Sequence, residues 1–183
     1  MNKIIKKVRE FVKKECEKPG AGFVGCFDNH FKHVVGYARE LARREKADEE
    51  IVEIAAWFHD IGSVKHEYKK HHLIGAEIAE DLLKNLKYPQ DKIEEVKHCI
   101  LHHRGSYPEN PETKEAQILI DADSMAHFDE ISFLVNGKYY GAKTMEESKK
   151  NVLAKLERSY KKLSPAAKEI IKPKLVEARK ILK

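Results

Sequence analysis

Ile51-Val52-Glu53-Ile54-Ala55-Ala56-Trp57-Phe58-His59-Asp60-Ile61-Gly62 is the stretch on which the reading of this chain turns. Its apolar residues cover most of a helix circumference, and a helix apolar nearly all round is buried. That helix ends on a His-Asp pair. Burying a carboxylate beside an imidazole costs several kcal/mol unless something compensates, and a bound cation is the strongest compensation available. A satisfied core hydrogen bond between His59 and Asp60 explains the dipeptide alone equally well.

Working outward, almost every segment repeats the 3.6-residue apolar spacing and strand-like alternation is nearly absent, so the expected fold class is all-α. The periodicity predicts helices over 2–17, 29–46, 49–59, 73–86, 90–103, 113–135, 144–162 and 166–182. Asp48 and Ser164 read as N-caps, the latter followed by Pro165 at the first helical position. Pro173 should kink or split the last helix, because it removes a backbone donor and crowds the preceding turn. Three stretches break the pattern, 19–25, 62–72 and 103–111. The Gly-rich 19–25 lacks the Gly-Lys-Ser/Thr ending of a phosphate-binding loop and reads as a connector. At 183 residues the chain reads as one domain, with an N-terminal helix and loop over 1–25, a core over 26–135 and a C-terminal helical extension over 141–183.

Composition narrows the class of protein. With 42% hydrophobic and 36% charged residues the chain is neither disordered nor fibrous. Its longest apolar run, Ile54 to Phe58, is far too short to span a bilayer, and the amphipathic N-terminus lacks the uninterrupted apolar core of a signal peptide. A cytoplasmic location without membrane association is the expectation. Cys16, Cys26 and Cys99 form no CxxC pair and should be reduced thiols. A net charge of +5 favours anionic ligands but does not mark a nucleic-acid binder. Histidine stands out, with ten copies concentrated between His30 and His127.

Asp123 is a second anomaly, because Ala116, Leu119 and Ile120 share its helix face and leave a carboxylate in an apolar stripe. Asp121 faces elsewhere. On the helix over 29–46, Val34, Tyr37, Ala38 and Leu41 form the buried stripe, flanked by His30 and His33, either of which could turn inward. Imidazole plus carboxylate suits Mn, Fe, Co, Ni or Zn better than Ca or Mg, with open positions for water.

His33, then His59-Asp60 in Ala-Ala-Trp-Phe-His-Asp-Ile-Gly, then Asp123 in Asp121-Ala122-Asp123, resembles the H…HD…D pattern of the HD-domain metal-dependent phosphohydrolase superfamily, over about residues 29–128. The resemblance implies an HD-type helical bundle with additional C-terminal helices, metal ligands at His33, His59, Asp60 and Asp123, and Asp60 within the catalytic set. His72 before Gly75-Ala76 and His103 after Ile100-Leu101-His102 resemble the family's auxiliary histidines, and either could protonate a leaving oxygen. Small stand-alone members often continue Asp-Ala-Asp into Leu-Asp, whereas this chain reads Ser124-Met125-Ala126-His127. The implied activity is metal-dependent hydrolysis of a small phosphorylated compound, a nucleotide foremost, at a phosphomonoester or pyrophosphate bond. The rivals are a non-catalytic nucleotide sensor, a di-iron oxygenase of HD type and a purely structural helical protein. A divalent transition ion is expected, with Mg also compatible, and one ion is favoured over two.

A divalent cation held by two carboxylates is formally neutral, so a phosphorylated substrate needs further basic groups. Lys65, Lys69, Lys70 and Arg104 are the candidates. Tyr68, Tyr107, Tyr139 and Tyr140 could stack on a base. His98 and His102 share a helix face and could ligate, His66 and His71 read as loop residues near the site, and His127 as structural or exposed. The C-terminal stripe of Met145, Val152, Leu156, Leu163, Ile170 and Leu175, with lysines such as Lys149, Lys150, Lys161 and Lys162 on its other face, reads as an amphipathic pair covering the core rather than an RNA-binding face. Partners are therefore a small-molecule substrate and no nucleic acid, and a homodimer is compatible with the sequence.

Overall fold

The computed structural model describes residues 2–22, 24–104, 111–137, 141 and 143–182, and among them every regular element is helical. Helices run over Lys3–Cys16 (α1), Lys32–Glu45 (α2), Glu49–Phe58 (α3), Ile61–Val64 (α4), His71–Asn85 (α5), Gln90–His102 (α6), Lys114–Ala126 (α7), Ile131–Asn136 (α8), Met145–Lys162 (α9) and Pro165–Ile181 (α10). None of them is long and apolar enough to cross a membrane. Tyr107, Tyr139 and Tyr140 lie outside the described residues.

α3 is the centre of the bundle. Asp48 caps it, accepting from the backbone N–H groups of Glu50 and Ile51 at 2.9 and 3.2 Å. Every residue from Ile51 to Phe58 is then buried, because α1, α2, α5, α6 and α7 all pack around it. The short α4 follows immediately. Gly62 lets the start of α5 lie against it, since a Cβ there would stand 2.5 Å from the Cα and carbonyl oxygen of His71. Gly75 does the same at the other end of the contact, where a Cβ would be 3.0 Å from the Phe58 carbonyl. The two glycines draw α5 onto the C-terminus of α3 and so onto the His-Asp pair.

Three differences from the periodicity matter for the site. The helix expected from residue 29 opens instead as a π-helical turn, Phe27–Phe31, before continuing as α2. The helix expected over 113–135 breaks after Ala126, and the turn between α7 and α8 carries His127 and Glu130. α10 runs unbroken through Pro173, which, like Glu169, the residue whose carbonyl loses a partner, is exposed. Ser164 caps α10 as expected, through a bond from the Ala167 N–H at 3.2 Å. Buried Asp121 ties the α9–α10 corner to α7 by accepting from the Ser164 N–H at 2.8 Å. The C-terminal pair thereby stands against α7 beside Asp123.

Candidate metal centre and cleft

Two groups of nitrogen and oxygen donors meet where the π turn, the α3–α4 junction, α5, α6 and α7 converge. The first contains His30, His59 and Asp123. His30 Nε2 is 3.0 Å from His59 Nε2 and 3.6 Å from both Asp60 Oδ2 and Asp123 Oδ1. His59 Nε2 is 3.9 Å from the same two oxygens. Ligands of one ion at about 2.1 Å stand roughly 3.0–3.4 Å apart when adjacent and about 4.2 Å when opposed. The three donors of this group are close enough to share one such centre, and Asp60 Oδ2 stands 3.6 and 3.9 Å from its two nitrogens.

The hydrogen bonds on the far side of each ring set which nitrogen faces inward. His59 Nδ1 is 2.8 Å from the Ala56 carbonyl, which can only accept, so Nδ1 carries its hydrogen and Nε2 presents a lone pair. His30 Nδ1 is 2.6 Å from Glu130 Oε1, a carboxylate whose side chain is 1% exposed. A carboxylate or carbonyl behind each imidazole is the arrangement that orients metal ligands. Two inward nitrogens at 3.0 Å need a cation between them, proton or metal. Burial opposes charge on His30, but Glu130, Asp60 and Asp123 outweigh it and raise its pKa well above the ordinary value. Burial, helped by His30 and His103 and opposed by Asp60 and Asp123, pushes His59 the other way, down to about 4. Burial also opposes ionisation of Asp60, yet the surrounding imidazoles, His59 foremost, hold it well below the carboxylate range. The donor set and its attraction for positive charge fit a divalent transition ion.

The second group is Asp60, His71 and His103. It uses the other oxygen of Asp60: Oδ1 is 3.2 Å from His71 Nε2 and 3.8 Å from His103 Nε2, and those two nitrogens are 3.1 Å apart. Both rings are again fixed from behind, His71 by the Tyr68 carbonyl at 2.8 Å and His103 by the Ile100 carbonyl at 2.6 Å. Asp60 thus stands between two adjacent donor groups.

His59, Asp60, Asp123 and His103 meet at the site. His33 lies in neither donor group; the π turn widens the backbone by one residue and gives His30, between buried Phe27 and Phe31, the inward direction. His72 sits behind His71, ring centroids 5.6 Å apart, and is not among the residues lining the cleft. His71, read as a loop residue, is a donor because α5 begins two residues earlier than the apolar pattern does.

Above the donors opens a cleft of about 480 Å3, lined by Asp60, Asp123 and His127 on one side and by Lys155, Arg158 and Lys162 of α9 on the other. Of the expected substrate-binding cations only Arg104 lines it. Lys65 turns away to Glu15 at 2.8 Å, and Lys69 and Lys70 are exposed on the loop before α5. His127 is buried, not exposed, with Nδ1 3.0 Å from Ser159 Oγ and Nε2 3.6 Å from Asp123 Oδ1. Burial, reinforced by Lys155, lowers its pKa to about 4.

A family model described as HD domain matches residues 27–127. An uncharacterized protein of Clostridium beijerinckii is 33% identical over 105 residues, which cover 54% of this chain and 64% of that protein, so the chain spans less than two thirds of that relative's length. Among solved structures, a predicted HD superfamily hydrolase from an uncultured Thermotogales bacterium aligns with TM-score 0.59 and 24% identity over 84% of this chain and 89% of its own. A Lactobacillus plantarum protein aligns with TM-score 0.69 and 15% identity over 100% and 94%. Bacillus subtilis YpgQ, solved in complex with ADP, aligns with TM-score 0.63 and 16% identity over 93% and 90%. At these identities the three structures share the all-helical fold. The family match spans more than half of the sequence and runs from the π turn that supplies His30 to the residue that follows α7; the chain belongs to the HD domain family.

Proposed function

We propose that this protein is a divalent-metal-dependent phosphohydrolase whose substrate is a small phosphorylated compound of the nucleotide class. The observation that carries the reading is the gathering of His59 Nε2, Asp60 Oδ2 and Asp123 Oδ1 within 3.0–3.6 Å of His30 Nε2, beneath a cleft whose opposite wall is cationic. His30, His59, Asp60 and Asp123 would hold one ion, and Asp60, His71 and His103 a second. When bound, such ions supply Lewis-acid polarisation of a phosphoryl oxygen and a water of lowered pKa.

The chain's own residues do the rest. Arg104 and the α9 cations attract and hold the phosphate groups of the substrate in the cleft. Attack by water forms a new P–O bond, and the bridging oxygen departs with the electron pair. Where that oxygen needs a proton, water in the cleft supplies it, because His127, the imidazole there outside the two donor groups, is held neutral by burial. The ADP in the YpgQ complex, on the same fold, supports a nucleotide as the ligand class.

The test is release of phosphate or pyrophosphate from nucleoside mono-, di- and triphosphates and cyclic nucleotides, with Mn, Mg, Co and Ni and a chelator control. Metal-dependent release that disappears in Asp123→Ala is the expected result. No release from any compound by protein with verified metal content would overturn the hydrolase reading and leave a binding role.

A further inference from the structure

α9 lies outside the segment shared with the HD family, yet it forms one wall of the cleft. Lys155, Arg158, Ser159 and Lys162 are spaced three, four and seven residues apart, which puts them on one helix face. That face lines the cleft with the donors, Lys155 half-buried and Arg158 and Lys162 open to solvent. Buried Val152 and Leu156, in one stripe with Ser159, pack the helix onto the bundle. Two bonds fix it from the front: Ser159 Oγ to His127 Nδ1 at 3.0 Å, and Lys162 Nζ donating to the Arg104 carbonyl at 2.6 Å.

The charges on this wall are not consumed internally. Among the described residues no carboxylate lies within ion-pair distance of Lys155, Arg158 or Lys162, whereas Lys149, Lys174, Arg179 and Lys180 of the same helical pair have Glu146, Asp129, Glu157 and Glu177. Burial and the neighbouring Lys155, Arg104 and Arg158 depress the Lys162 pKa, with Asp123 opposing. Asp60 and Asp123, the carboxylates lining the cleft, belong to the two donor groups, where bound divalent ions would offset them. Four cations, Arg104, Lys155, Arg158 and Lys162, remain for the ligand. A single phosphoryl group of about −2 leaves roughly half of that charge unmatched. The described lining is otherwise Ser, His and one tyrosine, Tyr68, whose hydroxyl is tied to the Gly22 carbonyl at 2.9 Å.

We propose that Lys155, Arg158 and Lys162, with Arg104 beside them, clamp the non-reacting part of a phosphate chain, so that the ligand carries at least two phosphoryl groups and is read by that chain rather than by its base. The proposal deepens the hydrolase reading and rests on it for turnover, but binding tests it separately. The clamp serves anions in general, so inorganic tripolyphosphate is a sufficient probe.

The experiment is calorimetric titration of the full chain, with Mg2+ in excess over total phosphate, using tripolyphosphate, pyrophosphate and orthophosphate. Tripolyphosphate should bind at least about tenfold tighter than orthophosphate, and this preference should weaken as salt rises. Arg158→Ala and Lys155→Ala should each cost about tenfold on tripolyphosphate, and Arg158→Lys less. Lys161→Ala, on the same helix but off the cleft, should bind as the wild type does. Equal affinity for the three anions, or wild-type binding by both alanine variants, overturns the clamp. Turnover separates the two ideas. Nucleotide hydrolysis in a protein that fails the binding test removes the clamp and keeps the hydrolase; tripolyphosphate binding lost in the variants, in a protein that hydrolyses nothing, keeps the clamp and removes the hydrolase.

Discussion

Glu130 offers the sharpest perturbation of the centre without touching a donor. Its carboxylate lies 2.6 Å from His30 Nδ1 with a side chain 1% exposed, so it fixes both the tautomer and the ring plane that aim Nε2 at His59, Asp60 and Asp123. Glu130→Gln keeps the shape and an acceptor oxygen but removes the charge behind the ring. Loss of such a supporting carboxylate typically weakens metal binding about 10–100-fold, or roughly 1.4–2.8 kcal/mol. For a domain of this size each kcal/mol is worth about 2–4 °C, so the gap between melting temperatures with saturating Mn2+ and with chelator should shrink by about 3–11 °C. Reading the gap rather than a single melting temperature cancels the variant's own effect on the metal-free fold. Calorimetric titration with Mn2+ gives the affinity directly. A dissociation constant within twofold of wild type would refute the argument that Glu130 orients His30.

Further outcomes follow from the same geometry. His30→Ala should lose metal in elemental analysis while His33→Ala retains it; the reverse pattern would return the ligand role to His33. Gly62→Ala drives a Cβ to 2.5 Å from the backbone of His71 and should cost about 1–3 kcal/mol or more, whereas Gly36→Ala, in open space within α2, should stabilise by about 0.5–1 kcal/mol; denaturant melts compare the two, and equal effects would contradict the close approach of α5. Asp48→Ala should remove about 1 kcal/mol from α3. Although burial opposes ionisation of Asp48, the Ile51 N–H and Lys92 lower its pKa, so its contribution is present above the unfolded-state pKa and fades as pH falls through the folded one. The stability difference between wild type and Asp48→Ala should therefore narrow on acidification, and a constant difference would contradict the capping role.

Much of this was legible in the residues themselves. The buried helix ending on His59-Asp60 and the carboxylate of Asp123 in an apolar stripe are local patterns, and burial of the stripes is what brings the two together. The caps at Asp48 and Ser164 are equally local. What stayed hidden depends on tertiary detail. His30 and His33 both flank the stripe, and only the π turn decides between them. His71 sits before the apolar pattern of α5 begins, and its approach to Asp60 depends on the backbone contact at Gly62. Lys65 is claimed by Glu15, half a hundred positions away. The turn that carries His127 and Glu130 interrupts an apolar pattern that continues through it. On α9, amphipathic spacing shows that a cationic face exists but not that Lys155, Arg158 and Lys162 line the cleft while Lys149 pairs with Glu146 on the surface.

The most direct test of the metal centre is an anomalous difference map from a crystal grown with Mn2+ or Ni2+, recorded at the metal's absorption edge. The structure predicts a peak at about 2.0–2.3 Å from His30 Nε2, His59 Nε2 and the carboxylates of Asp60 and Asp123, with a neighbouring peak beside His71 and His103. A map with metal bound elsewhere, or with no peak among these side chains at saturating metal, would contradict it.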